Sequence, residues 1–151
     1  MQLNGEASAM VPEINWLAVI VATVATIAVG STWYTPKVFG TIWAKDARVR
    51  PHDNGWVPII VGVVTGFVTS WVLAGSAAIA HHFYGGSFLG NSLVTSIILW
   101  AGLTAARVVT HDSFENRPRR LTLLTIGHEL VTFLAIALII GLFGISGDGA
   151  A

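Results

Sequence analysis

The residues with the most informative chemistry lie in the last apolar stretch of the chain, where a glutamate interrupts otherwise hydrophobic sequence. Thr125, Glu129 and Thr132 are spaced four and three residues apart, so they share one face of a helix. His128 flanks this face. An ionisable residue inside a membrane helix is energetically costly and marks a functional site by default. We therefore predict a candidate intramembrane polar site on this helix.

Arg107 is the candidate partner of this site. It lies near the end of the preceding apolar stretch, and the short segment 110–120 between the two stretches makes them neighbours. A long arginine side chain can reach Glu129, and the pair then has two interpretations. The first is structural, as an ion pair or as an arginine that extends to the lipid headgroups. The second is a proton- or ion-coupled site formed by Glu129, His128 and Arg107.

Two histidine–aspartate pairs lie in the polar loops. They are His52-Asp53 and His111-Asp112, with Glu115 four residues after the second histidine. If the loops were adjacent, these groups could bind a divalent metal or perform general acid–base chemistry. Their spacing matches no metal-ligand motif, which favours ordinary solvated loop residues.

Other classes of site are excluded or disfavoured by composition and pattern. The chain has no cysteine, which excludes disulfides, thiolate metal sites and cysteine nucleophiles. It has no P-loop or G-x-S-x-G pattern, and Thr132 stands where a zinc-protease motif needs its second histidine. The net charge of zero gives no support for nucleic-acid binding. We therefore predict a protein that is not an enzyme and that has no cofactor, no metal and no nucleic-acid partner.

The elements that position these residues are membrane helices. The chain is 54% hydrophobic and only 11% charged, and a spanning helix needs about 20 apolar residues. Four stretches meet that length, at residues 14–35, 56–80, 88–110 and 121–145. The segment His81–Ser87 divides the long uncharged run between the second and third stretches. The sequence predicts an all-α, polytopic membrane protein, a single bundle of four transmembrane helices.

Basic residues predict the orientation of this bundle. All 8 Lys and Arg residues fall in or beside two connecting segments, as Lys37, Lys45, Arg48, Arg50, Arg107, Arg117, Arg119 and Arg120. The positive-inside rule makes both segments cytoplasmic and puts both termini outside. Residues 36–50 form an amphipathic segment that lies flat on the lipid surface or serves as a docking surface for a partner.

Small residues predict how the helices pack in the lipid bilayer. In the second stretch they recur at every fourth position and form a groove, as Gly62, Gly66, Ser70, Ala74 and Ala78. The first stretch has a similar row, as Ala18, Ala22, Thr26 and Gly30. Either the two rows pack against each other within one protomer, or the groove mediates self-association or contact with a membrane-protein partner.

Several motifs carry a resemblance to a known family. They are Asn15-Trp16, Gly30, Trp33-Tyr34, Pro36, Phe39-Gly40, Trp43, Phe114-Glu115, Arg117-Pro118 and the Ile-Gly-His segment at 126–128. With them the chain resembles an uncharacterised bacterial four-helix integral-membrane family that is catalogued only as a domain of unknown function. The resemblance implies a multi-pass inner-membrane protein and no activity. It also implies an apolar residue after the histidine, where this chain has Glu129.

Three functional hypotheses follow. The first is a non-enzymatic homo-oligomer or accessory subunit with its cytoplasmic Trp and Phe residues as the contact surface. The second is a proton- or ion-coupled transporter or channel that uses Glu129, His128 and Arg107. The third is a membrane enzyme that acts on lipid headgroups through His52 and His111.

Overall fold

The structure is a computed structural model that describes residues 12–49 and 55–145, and its regular elements there are all helical. They are α1 (Trp16–Trp33), α2 (Gly40–Ala47), α3 (Trp56–Tyr84), α4 (Phe88–Phe114) and α5 (Arg119–Phe143). In this part of the chain, α1, α3, α4 and α5 are long and apolar enough to cross a membrane. The prediction of an all-α protein with four membrane-spanning helices is confirmed.

The α3–α4 turn is shorter than the sequence predicted. Helix α3 continues through both histidines and ends at Tyr84, so the turn contains only Gly85, Gly86 and Ser87. Nothing in the segment 81–84 breaks a helix, whereas Gly85 has a φ of 63°, which favours glycine. The Ser87 side chain then accepts a hydrogen bond from the Gly90 backbone N–H and caps the next helix.

Helix α4 also extends further than predicted. It ends at Phe114 rather than near residue 110, so His111 and Asp112 lie in its last turn and not in a loop. The helix stops where Asn116 adopts a φ of 52° and Pro118 removes a backbone donor. The predicted placement of this histidine–aspartate pair in a loop is therefore wrong.

The four long helices form a four-sided bundle. Helix α1 packs against α3 and α5, and α4 packs against the same two helices from the opposite corner. Small and aliphatic residues form the buried centre, which comprises Ala18, Val19, Ala22, Leu73, Ala74, Phe133, Ile136, Ala137 and Ile140. Small residues let helix backbones approach closely, which is what stabilises helix pairs in lipid.

The predicted groove of α3 faces α1 within this protomer. A Cβ atom built on Gly66 would overlap the Thr26 hydroxyl, and one built on Gly62 would lie 3.8 Å from Ile27 Cδ1. The remaining members of the row, Ser70, Ala74 and Ala78, are buried. The row of small residues in α1 lies on the other side of the same contact, with Ala18 and Ala22 fully buried.

Helix α4 changes its packing partner along its length. Its first part, Phe88–Leu99, packs on both α3 and α5, whereas the part from Trp100 onward packs on α5 and leaves α3. The change coincides with a π-helical segment, Trp100–Ala105, a distortion that often marks functional regions. The Trp100 indole Nε1 donates a hydrogen bond of 2.9 Å to the Ile126 carbonyl oxygen of α5. The half of the bundle nearest the two basic segments is therefore open between α3 and α4.

Candidate functional site

A cavity of about 690 Å³ fills the space between α1, α3 and α5 in this open half. Its lining comprises Thr26, Ile27, Gly30, Ser31, Tyr34, Pro58, Ile59, Gly62, Thr65, Gly66, Thr69, His128, Glu129 and Thr132. Glu129 is two residues before Val131, the midpoint of the 25-residue helix α5, so it lies about 3 Å along the axis from the helix centre. The cavity therefore brings a carboxyl group close to the middle of a membrane span.

His128 and Glu129 are paired at the wall of this cavity. The imidazole Nδ1 lies 3.3 Å from the carboxylate Oε1, and the two side chains are 15% and 34% exposed. If the carboxylate is ionised, Nδ1 must carry the proton that it donates, and Nε2 of a neutral ring is then an acceptor. Nε2 is buried and has no hydrogen-bond partner within the described residues.

Aromatic rings hold His128 in place. The ring centroids of Trp33 and Tyr34 lie 5.9 and 5.1 Å from that of the imidazole. Behind them, Phe39 packs on Trp33 at 4.6 Å and Trp43 packs on Tyr34 at 5.0 Å. The α1–α2 connection thus folds back under the end of α1, which makes these aromatic side chains half-buried parts of the site.

Three glycines lie where the backbone approaches this aromatic cluster. A Cβ atom at Gly30 would lie 3.6 Å from His128 Nε2, and one at Gly127 would lie 3.5 Å from the Trp33 ring, which are ordinary van der Waals contacts. A Cβ atom at Gly40 would overlap the Tyr34 carbonyl oxygen, so a side chain there would displace the α1–α2 connection. Of the three positions, Gly40 is therefore the one at which a side chain does not fit.

Four threonines of the lining use their hydroxyl protons within their own helices. Each hydroxyl donates to a backbone carbonyl one turn earlier, Thr26 to Thr23, Thr65 to Val61, Thr69 to Thr65 and Thr132 to His128, at distances of 2.8, 2.8, 2.9 and 2.9 Å. A hydroxyl has one proton and two lone pairs. What these threonines can still offer to a ligand is therefore an acceptor oxygen.

Two of the predicted site residues are not in the cavity. Arg107 is exposed on α4 and makes no ion pair with Glu129, and Thr125 donates its hydroxyl to the Leu121 carbonyl oxygen at 3.1 Å and is absent from the lining. The expected contact between Arg107 and Glu129 does not form, because the Glu129 face of α5 is turned toward α1 and α3. Of the predicted set, the structure brings together His128, Glu129 and Thr132.

Tyr34 is a lining residue that the sequence analysis did not select. It follows α1 directly, and burial, with a smaller contribution from the Glu129 carboxylate, raises the pKa of its phenol. The phenol therefore stays neutral at physiological pH and adds no charge to the cavity. Thr65 and Thr69 also line the cavity and were not selected from the sequence. Their spacing of four residues in a largely apolar helix was a signal that could have identified them.

The polar residues at the end of α4 form a different, structural arrangement. Asp112 is buried, and its Oδ2 accepts a hydrogen bond of 2.7 Å from the Thr122 hydroxyl of α5. Arg117 Nε lies 3.8 Å from the same carboxylate, while His111 is exposed. The predicted partners His52 and Asp53 lie outside the described residues, in which no group of three or more potential metal ligands occurs.

Comparison with known proteins gives a family. Residues 17–141 match the family described as "Protein of unknown function (DUF1761)". The chain belongs to this family. No curated protein and no solved structure matches it. The predicted resemblance to a family of unknown function is confirmed, and the family description assigns no activity.

The family match covers the residues that build the site. It includes the α1–α2 connection and nearly all of α1 and α5. Several motif residues that carried the resemblance converge in space, because Trp33 and Tyr34 pack on His128 and Phe39 and Trp43 pack behind them. In this chain the cluster is centred on His128, and Glu129 lies beside it.

Proposed function

We propose that the protein is a non-enzymatic, proton- or cation-coupled transport protein of the bacterial inner membrane, with Glu129 as its coupling residue. One observation carries this proposal. Glu129 and His128 face a cavity near the middle of a membrane span, and its described lining combines apolar side chains with hydroxyl groups and contains no Lys or Arg. A carboxylate at this depth, with an imidazole but no Lys or Arg beside it, is neutralised by a proton or by a bound cation.

Glu129 can couple proton movement to cation movement if a proton and a cation exchange at its carboxylate. A proton and a cation that compete for one carboxylate cannot both occupy it, so release of one accompanies binding of the other. The imidazole of His128 supports this exchange, because its Nδ1 lies within hydrogen-bonding distance of the carboxylate oxygen. The hydroxyl-bearing residues of α1, α3 and α5 supply the polar surroundings that a charged ligand needs in lipid.

We further propose that the working form is a homo-oligomer with both termini outside. The described lining of the cavity comes from α1, α3 and α5 without α4, so a carboxylate facing its opening in a lone protomer would meet lipid chains. A second copy across the opening would separate Glu129 from lipid. The remaining apolar surface contacts the bilayer.

The test is proton flux in liposomes that contain the purified full-length protein. We expect the wild type to dissipate an imposed pH gradient, as reported by a pH-sensitive dye inside the vesicles, and Glu129→Gln to remove this flux. Glu115→Gln is the matched control, because Glu115 pairs with Arg117 outside the cavity. Undiminished flux in Glu129→Gln, or wild-type flux no greater than that of protein-free vesicles, would contradict the proposal.

A second candidate is an assembly or accessory subunit that transports nothing. The open side of the bundle between α3 and α4 favours it as well, because a helix of a partner protein could occupy that opening. The aromatic residues first assigned to partner contact give it less support, since Trp33, Phe39 and Trp43 are half-buried within the protomer. This candidate predicts that Glu129→Gln leaves function unchanged.

A further inference from the structure

We infer that the ligand of this cavity is a small organic cation with N–H groups, of the class of primary ammonium compounds. The inference deepens the proposed function, because it names the ligand class of the same cavity. It depends on three properties of the lining, which are its charge, its hydrogen-bonding character and its size.

The charge of the lining selects a cation. Among the described residues, Glu129 is the only acidic residue in the lining, and no Lys or Arg accompanies it there. Tyr34 stays neutral, and His128 already directs Nδ1 toward the Glu129 carboxylate. An anion would therefore meet a like charge in a low-dielectric environment, where repulsion is strong.

The hydrogen-bonding character of the lining favours a ligand that donates hydrogen bonds. Thr26, Thr65, Thr69 and Thr132 have all given their hydroxyl protons to their own backbones, which leaves acceptor oxygens. A primary ammonium has three N–H donors and no acceptor, so it complements this surface. A quaternary ammonium carries the same charge but has no N–H donor.

The size and the apolar part of the lining favour an organic ligand over a bare metal ion. A volume of about 690 Å³ lies within the range of about 300–1,000 Å³ that is typical of small-molecule sites. Ile27, Pro58 and Ile59 supply apolar surface for a carbon skeleton. Tyr34 adds an aromatic ring, which stabilises a cation that lies over its face.

The experiment is calorimetric titration of the full-length protein in nanodiscs of zwitterionic lipid, with empty nanodiscs as the reference. The probes are benzylammonium, benzyltrimethylammonium, benzyl alcohol, benzoate and sodium chloride. We expect saturable binding of benzylammonium and binding that is about tenfold or more weaker for each other probe, since charge-assisted hydrogen bonds would be lost. Equal affinity for benzyl alcohol, benzoate, benzyltrimethylammonium or sodium would overturn the inference.

Variants locate the binding in the cavity. Glu129→Gln should weaken benzylammonium binding by about tenfold or more, and Thr132→Val should weaken it by a smaller factor. Thr110→Val is the matched control, because Thr110 makes the same kind of bond to the Ala106 carbonyl outside the cavity. Affinity unchanged in both Glu129→Gln and Thr132→Val, with native helicity retained, would also overturn the inference.

The outcomes separate this inference from the proposed function. Proton flux that depends on Glu129 without selective ammonium binding would leave coupled transport intact and refute the ligand class. Selective ammonium binding without flux would support the ligand class and refute transport.

Discussion

Glu129 and His128 occupy neighbouring positions but have different surroundings in the site. The rings of Trp33 and Tyr34 pack on the His128 imidazole, whose Nε2 is buried. Glu129 lies beside the imidazole on the lining of the cavity and supplies the carboxylate. At the scale of single residues, the cation preference that we propose depends on Glu129, whereas His128 is held by packing between α1 and α5.

Gly66 controls the approach of α1 to α3. We expect Gly66→Ala to lower the free energy of unfolding by about 1–3 kcal/mol, because the added methyl group would overlap the hydroxyl of Thr26, a stiff β-branched side chain. Thr26 is only 9% exposed and has little room to move. The measurement is an unfolding titration in mixed detergent micelles.

Gly62→Ala is the control for this prediction, since its new methyl group would lie 3.8 Å from the nearest side-chain atom, an ordinary contact. It should keep or raise stability because alanine favours helices over glycine. Equal stability of Gly66→Ala and Gly62→Ala would show that the α1–α3 contact is less tight than the structure indicates.

At the scale of elements, helix α4 leaves one side of the bundle open. Its π-helical segment, Trp100–Ala105, lies where the helix leaves α3 and continues along α5 alone. An α4 that kept its contact with α3 over its full length would close the bundle on the side where the cavity now opens. The hydrogen bond from the Trp100 indole to the Ile126 carbonyl oxygen holds this segment against α5.

Trp100→Phe tests this role of α4. The change keeps an aromatic ring but removes the indole N–H, so the free energy of unfolding should fall by about 1 kcal/mol. Amide hydrogen exchange should increase in α4 after residue 100 and in the facing part of α5. Trp56→Phe is the control, because Trp56 is 61% exposed at the start of α3. If both variants exchange like the wild type, the indole does not hold α4 in place.

At the scale of the whole molecule, the bundle separates two chemically different ends. The α3–α4 turn has no Lys or Arg, whereas the α1–α2 connection and the α4–α5 connection carry the basic residues. Hydrogen bonds tie the helices together at both ends, from the Asn15 side chain to the Phe143 carbonyl and from Thr122 to Asp112. The positive-inside rule then predicts which end faces the cytoplasm.

The absence of native cysteines allows a direct test of this orientation. Tyr84→Cys and Phe114→Cys place single thiols at opposite ends of the bundle, at positions that are 84% and 90% exposed. In intact cells stripped of their outer membrane, a membrane-impermeant maleimide should label Tyr84→Cys and should label Phe114→Cys only after lysis. The reverse pattern would invert the proposed topology.

The sequence by itself determined the number of spans and their approximate positions, because hydropathy and helix length are local properties of the chain. It also identified the rows of small residues in α1 and α3 but left open whether they meet within one protomer. Its errors at element ends had local causes too, since α3 and α4 continue until a residue with positive φ stops them.

Only the tertiary structure decided what Glu129 faces. The short connection between α4 and α5 suggested Arg107, but adjacency along the chain does not fix the rotation of a helix about its axis. Helix α5 has a polar stripe that favours a position away from lipid, but the stripe does not predict which neighbouring helix it meets. Its rotation is set by long-range packing, in which Trp33 lies against Gly127 and His128 lies against Gly30. That packing turns Glu129 toward α1 and α3 and creates the cavity there.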